Sequence, residues 1–87
     1  MTSRQQKLLK TALTEGTRQA ILRELLQEEE IGITMLMVRL GYMPMSVLRQ
    51  HLIVLERTEV VTVIRDSVVS VNRERLSALL KDLNINL

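Results

Sequence analysis

Residues 34–57 read TMLMVRLGYMPMSVLRQHLIVLER, and the punctuation within them sets two helices at a tight turn. Thr34 can cap a short helix from Met35 to Leu40, and Gly41 fits the left-handed position that ends it. Tyr42-Met43-Pro44 makes the turn. Pro44 suits the first position of a new helix, because its missing N–H would have no partner there. From Pro44 to about Arg57 the new helix divides into two faces. Leu48, His51, Leu52 and Leu55, spaced i, i+3, i+4, i+7, point inward, whereas Ser46, Arg49, Gln50, Ile53 and Arg57 point out.

Upstream, two more helices are expected. The first spans about 3–14, with Ser3 as its N-cap and Leu8, Leu9, Ala12 and Leu13 as a narrow apolar stripe flanked by Arg4, Lys7 and Lys10. Thr14-Glu15-Gly16 ends it, and Thr17 caps the second, whose Ile21, Leu22, Leu25 and Leu26 share one face. Glu28-Glu29-Glu30 closes that helix as a solvated terminus, and Ile31-Gly32-Ile33 reads as an extended link.

Downstream, the period changes from helical to alternating. Val60 to Ile64 and Val68 to Val71 are β-branched runs separated by Arg65-Asp66-Ser67, the pattern of a hairpin. Asn72 caps a last helix over about 73–83, in which Leu76, Leu79, Leu80 and Leu83 trace one stripe. Asn84-Ile85-Asn86-Leu87 is expected to fray. The order of elements predicts a mainly α fold with a small β-hairpin wing, a single winged helix-turn-helix domain over residues 1–87.

Two segments carry a family resemblance. Thr17-Arg18-Gln19-Ala20-Ile21-Leu22-Arg23-Glu24-Leu25-Leu26 resembles the second helix of ArsR-like bacterial repressors. The segment from His51 to Val61, with its His-Leu pair, following Leu55 and apolar strand start, is similar to their recognition-helix exit. The likeness covers about Thr17 to Leu80. It implies a DNA-binding transcription regulator, a repressor acting as a dimer through helices at both ends of the chain. The sequence departs from the pattern at Glu59, where the family usually has Gly, and in a wing that is short and offers one arginine, Arg65, beside Asp66. The thiolate and His-rich sensor sites of the metal-responsive members have no counterpart here, so metal sensing is not implied.

Charge placement bears on the same function. The chain has 87 residues and a net charge of +2, and the excess lies in the middle third, where Arg39, Arg49, Arg57 and Arg65 face only Glu56 and Glu59. Arg49 can pair both acceptors of guanine, Gln50 can bracket adenine, and Ser46 can bond a base or a phosphate. All three sit near a helix N-terminus, where the macrodipole favours phosphate. Met45, at the start of the same helix, is a further candidate contact, and Arg65, Arg39, Arg57 and Thr34 could flank the DNA backbone. Exposed Ile53 suits packing or a protein contact. The partner expected is therefore double-stranded DNA, with a regulatory protein as a possible second partner.

The rest of the composition is restrictive. No cysteine and one histidine leave no thiolate metal site, no Cys nucleophile and no clustered catalytic set, so no enzyme activity, metal or cofactor is expected. His51 reads as a packing histidine. Tyr42, the single aromatic, is expected to pack against the helix pair, and Met35, Met37, Met43 and Met45 to fill core. The polar start lacks a signal-peptide core and no apolar run could span a bilayer, so a cytoplasmic protein is expected.

At 46% hydrophobic and without Phe or Trp, the core must be aliphatic and small. Leu8, Leu9 and Leu13 at one end, with Leu76, Leu79, Leu80 and Leu83 at the other, then predict a homodimer that buries both terminal stripes. The alternative function is a winged-helix protein-interaction module with little or no DNA binding. Ile53, the hairpin and the acidic run would serve it, and the low net charge favours it.

Overall fold

A computed structural model of the protein describes residues 2–87. In chain order it contains α1 (Ser3–Thr14), α2 (Gly16–Glu28), β1 (Glu30–Gly32), α3 (Ile33–Arg39), α4 (Met45–Arg57), β2 (Val61–Ile64), β3 (Val68–Val71) and α5 (Arg73–Asp82). The fold is mainly α with an antiparallel three-stranded sheet, consistent with a winged helix.

The helix starts depart from expectation in instructive ways. Thr2, not Ser3, caps α1: its hydroxyl accepts from the Gln5 N–H while the Gln5 side chain accepts from the Thr2 N–H, a reciprocal capping box. Glu15, not Thr17, caps α2, its two carboxylate oxygens accepting from the Thr17 and Arg18 N–H groups at 3.1 and 3.0 Å. A carboxylate can serve two donors at once and meets the positive end of the helix, so it displaces the hydroxyl. Gly32 occupies the N-cap of α3 without any side-chain bond, which leaves Thr34 inside the helix and not at its cap. Pro44 stands at the N-cap of α4, one place earlier than expected, and its carbonyl accepts from the Val47 and Leu48 N–H groups.

Helix ends follow the backbone chemistry that glycine or asparagine makes cheap. At α3 the Tyr42 N–H bonds back to Met37 and the Gly41 N–H to Val38, with Gly41 at φ 76°. That is the Schellman closure its position implied. The same closure ends α5, with Asn84 at φ 54° as its left-handed residue and the Ile85 N–H reaching the Leu80 carbonyl at 2.8 Å. Ile85 and Leu83 are buried by it, so the expected frayed tail is instead folded onto the core.

Residues 30–32 are a strand and not a bare link. Ile31 is buried between exposed Glu30 and Gly32, and it pairs with Val69, giving the strand order β1-β3-β2. The hairpin register sets Val61 opposite Val71 and Val63 opposite Val69 on the inner face. Val60, Val61, Val69 and Val71 join Ile21, Leu22, Leu25, Leu36, Leu48, Leu52 and Leu55 in one aliphatic core. Each fully buried leucine contributes roughly 1.5–3 kcal/mol relative to exposure, so the missing aromatics are replaced by number.

The terminal stripes are largely spent in that core. Leu13, Leu76 and Leu79 are buried, as is Leu83, while Leu9 and Leu80 are partly buried against the cluster. Leu8 alone of these seven is well exposed, at 63%. Of the stripes expected to stand open for a second copy, the chain itself buries Leu13, Leu76, Leu79 and Leu83, leaving Leu8 open and Leu9 and Leu80 partly so.

Candidate nucleic-acid interface

The face made by α3, the 40–44 turn and α4 carries the candidate DNA contacts. Ser46 and Gln50, one helical turn apart, are exposed, as are Arg57 and Thr34. Ile53 is 48% exposed beside them. No side chain caps the N-terminus of α4, so the Met45 and Ser46 N–H groups are available to an anion, while the Val47 N–H already bonds the Pro44 carbonyl. Met45 differs from expectation. It is partly buried and packs against the core, because its place in the helix turns it towards the Leu48 side.

Two of the four candidate arginines already hold carboxylates. Arg49 Nη1 donates to Asp66 Oδ1 at 2.9 Å, tying α4 to the hairpin turn. Arg39 Nη2 donates to Glu28 Oε1 at 2.5 Å, and its Nη1 lies 3.9 Å from Glu24 Oε2, which binds α3 to α2. The acidic run is thus partly a structural partner, not only a solvated helix end. Among the described residues neither Arg57 nor Arg65 takes part in an ion pair.

The Arg49–Asp66 pair is exposed on both sides, at 42% and 81% of the side chains. Such pairs are worth about 0–1 kcal/mol, whereas a bidentate arginine–guanine contact discriminates by roughly 1–3 kcal/mol. Exchange of Asp66 for a base is therefore energetically open. Arg65 and Asp66 both have positive φ, 51° and 58°, and the Ser67 N–H closes the turn on the Ile64 carbonyl at 3.0 Å. This conformation, which suits the twist of a tight hairpin, holds the arginine at the tip and the aspartate back towards α4.

Tyr42 does not pack against the helix pair as expected. It is 73% exposed with φ 61°, because the Schellman closure uses its backbone and leaves the ring outside. Met35 is also exposed, while Met37 and Met43 do fill core edges.

His51 sits in a joint that sequence reasoning anticipated only as packing. Its Nδ1 lies 3.2 Å from Arg18 Nη1 and 3.7 Å from Glu15 Oε2. Arg18 also donates from Nε to the Ala12 carbonyl at 2.6 Å and from Nη2 to the Thr11 carbonyl, so one guanidinium closes α1 and meets α4. The Glu15 carboxyl is held below its usual range, first by the Thr17 N–H bond and then by the Arg18 N–H and the nearby His51 charge, against burial that raises it. This cluster is internally satisfied and fixes the angle between α1, α2 and α4.

Among the described residues no group of three or more His, Cys, Asp or Glu is placed to hold a metal ion, and no helix is long and apolar enough to cross a membrane. No protein-family model matches the chain, and neither the curated proteins nor the solved structures give a match.

Proposed function

We propose that this protein binds double-stranded DNA through α4 and acts as a small transcription regulator, a repressor by occupancy of its operator. The observation that carries the reading is the pair Ser46 and Gln50, exposed one turn apart at an uncapped helix start that follows a tight turn from α3. An amide at that position can bracket adenine in the major groove, and the free N–H groups beside it suit a phosphate. Arg57 and Arg65 then grip the backbone on either side, with Thr34 and Tyr42 as hydroxyl donors near the turn. Arg49 reads a guanine after leaving Asp66, while Arg39, held by two glutamates, stays a structural residue.

The number of free cations makes a quantitative expectation. Two to four released counterions per protein give a slope of about −2 to −4 in log affinity against log salt. Anisotropy of a labelled duplex titrated at several salt concentrations, with Gln50→Ala alongside, tests both the slope and the base contact. Absence of salt-sensitive binding to any duplex would remove the proposal.

A protein-interaction module is the second reading, and it has its own support. Ile53 and Ile64 are both exposed, and Arg49 and Arg39 spend their charges inside the chain. An apolar, charge-neutralised surface suits protein better than phosphate.

A further inference from the structure

On the flank of α4 away from the hairpin, a groove of about 650 Å³ opens between α1, the end of α4 and α5. Leu8, Leu9, Ala12 and Val54 form its apolar floor, and Arg57 and Arg75 stand on its rim. No carboxylate lines it. The cations of α1 itself, Arg4, Lys7 and Lys10, lie outside the lining, Lys7 and Lys10 on the opposite helical face. None of these five cations takes part in an ion pair among the described residues.

We propose that this groove docks an acidic amphipathic helix of a protein partner. The lining residues of α1, Gln5, Leu8, Leu9 and Ala12, follow the i, i+3, i+4, i+7 spacing of one helical face about 10 Å long, which two turns of a guest helix match. Apolar anchors of the guest cover Leu8 and Val54, and its carboxylates meet Arg57 and Arg75. A second copy fits less well, because pairing through the same groove sets its own Arg57 and Arg75 beside these guanidiniums with no carboxylate on either side to meet them. Arg57 stands at the border between this groove and the outward face of α4, so an occupant here lies close enough to compete for that side chain. The site itself rests on the groove and does not depend on DNA binding.

The test uses a fluorescein-labelled peptide of about 16 residues, with Leu at i, i+3, i+4 and i+7 and Glu and Ala elsewhere, and its Lys-for-Glu counterpart. Titration with the full chain should give saturable anisotropy for the acidic peptide and a loss of at least about tenfold with Leu8→Gln or Arg57→Gln. Amide shifts should move at Leu8, Leu9, Ala12, Val54 and Arg57. Leu8 is exposed, so an unchanged circular dichroism spectrum separates lost docking from lost folding. Equal binding of the basic peptide, no saturation, or insensitivity to both substitutions overturns the proposal. So does sedimentation of a dimer that Leu8→Gln dissolves, because the groove would then belong to a second copy.

Discussion

Arg49 of α4 and Asp66 of the hairpin turn are joined at 2.9 Å, so the helix expected to read DNA is tied to the wing through its central cation. The pair cancels a positive charge where a polyanion would dock, and Asp66 itself repels phosphate. Asp66→Asn should therefore strengthen binding to a duplex by several-fold and steepen the salt slope by about 1. Stability should change by no more than about 1 kcal/mol, because the pair is exposed. Duplex titrations at several salt concentrations and urea unfolding check both halves. Weaker DNA binding by Asp66→Asn would mean that the pair positions Arg49 and does not restrain it.

Glu59 has φ 66°, the left-handed backbone that a side chain makes costly and glycine does not. Glu59→Gly should raise stability by about 1 kcal/mol, a gain in Tm of about 4–8 °C for a domain of this size. Thermal unfolding followed by circular dichroism measures it, and a lowered Tm would show that Glu59 makes a compensating contact.

The carboxyl of Glu15 is held below its usual range because it accepts N–H bonds in the folded state. A lowered folded pKa means that this contribution is complete above the unfolded value, about 4.3, and is lost as pH falls through the lower folded one. Glu15→Ala should cost about 1 kcal/mol near neutral pH and less at about pH 2, where protonation has begun to remove the charged cap. Urea unfolding at both pH values decides it: equal losses at the two would remove the charge argument.

Leu79 and Leu8 belong to the two terminal stripes yet differ in burial, 1% against 63%. Leu79→Ala should destabilise the single chain by about 2–5 kcal/mol, while Leu8→Ala should stay within about 0.5 kcal/mol. If Leu8→Ala destabilises in proportion to protein concentration, Leu8 is buried between copies.

Much of this fold is legible in local residue patterns. Gly41 and Pro44 punctuate the turn, the leucine spacing of α4 separates its faces, and the valine alternation marks the hairpin. What escapes is chemistry that joins distant segments. Nothing around Ile31 marks it as a strand until Val69 is beside it, and the Arg49–Asp66 pair spans a helix and a turn 17 residues apart. Competition at caps was also hidden: Glu15 and Thr17 both qualify at the start of α2, and only geometry shows the carboxylate winning two N–H groups. Asn84 followed by Ile85 did carry the signal of a helix closure with its hydrophobic cover.

For the candidate interface, the outward positions of Ser46, Gln50 and Arg57 follow from helical period alone. The engagement of Arg39 and Arg49 does not, because an arginine's partners depend on which carboxylates the fold brings near it. Tyr42 shows the same limit in reverse, since a lone aromatic expected to pack is left outside by a backbone closure.

The most direct measurement is anisotropy of a labelled duplex from the DNA flanking the protein's own coding sequence, compared with a random duplex of equal length, for wild type and Gln50→Ala at about 50–200 mM salt. Recognition by α4 predicts salt-sensitive binding, tighter for the flanking duplex, with the preference reduced about 5- to 150-fold, the equivalent of roughly 1–3 kcal/mol, by Gln50→Ala. No saturable binding to either duplex at the lowest salt, or a preference that Gln50→Ala leaves unchanged, would contradict it.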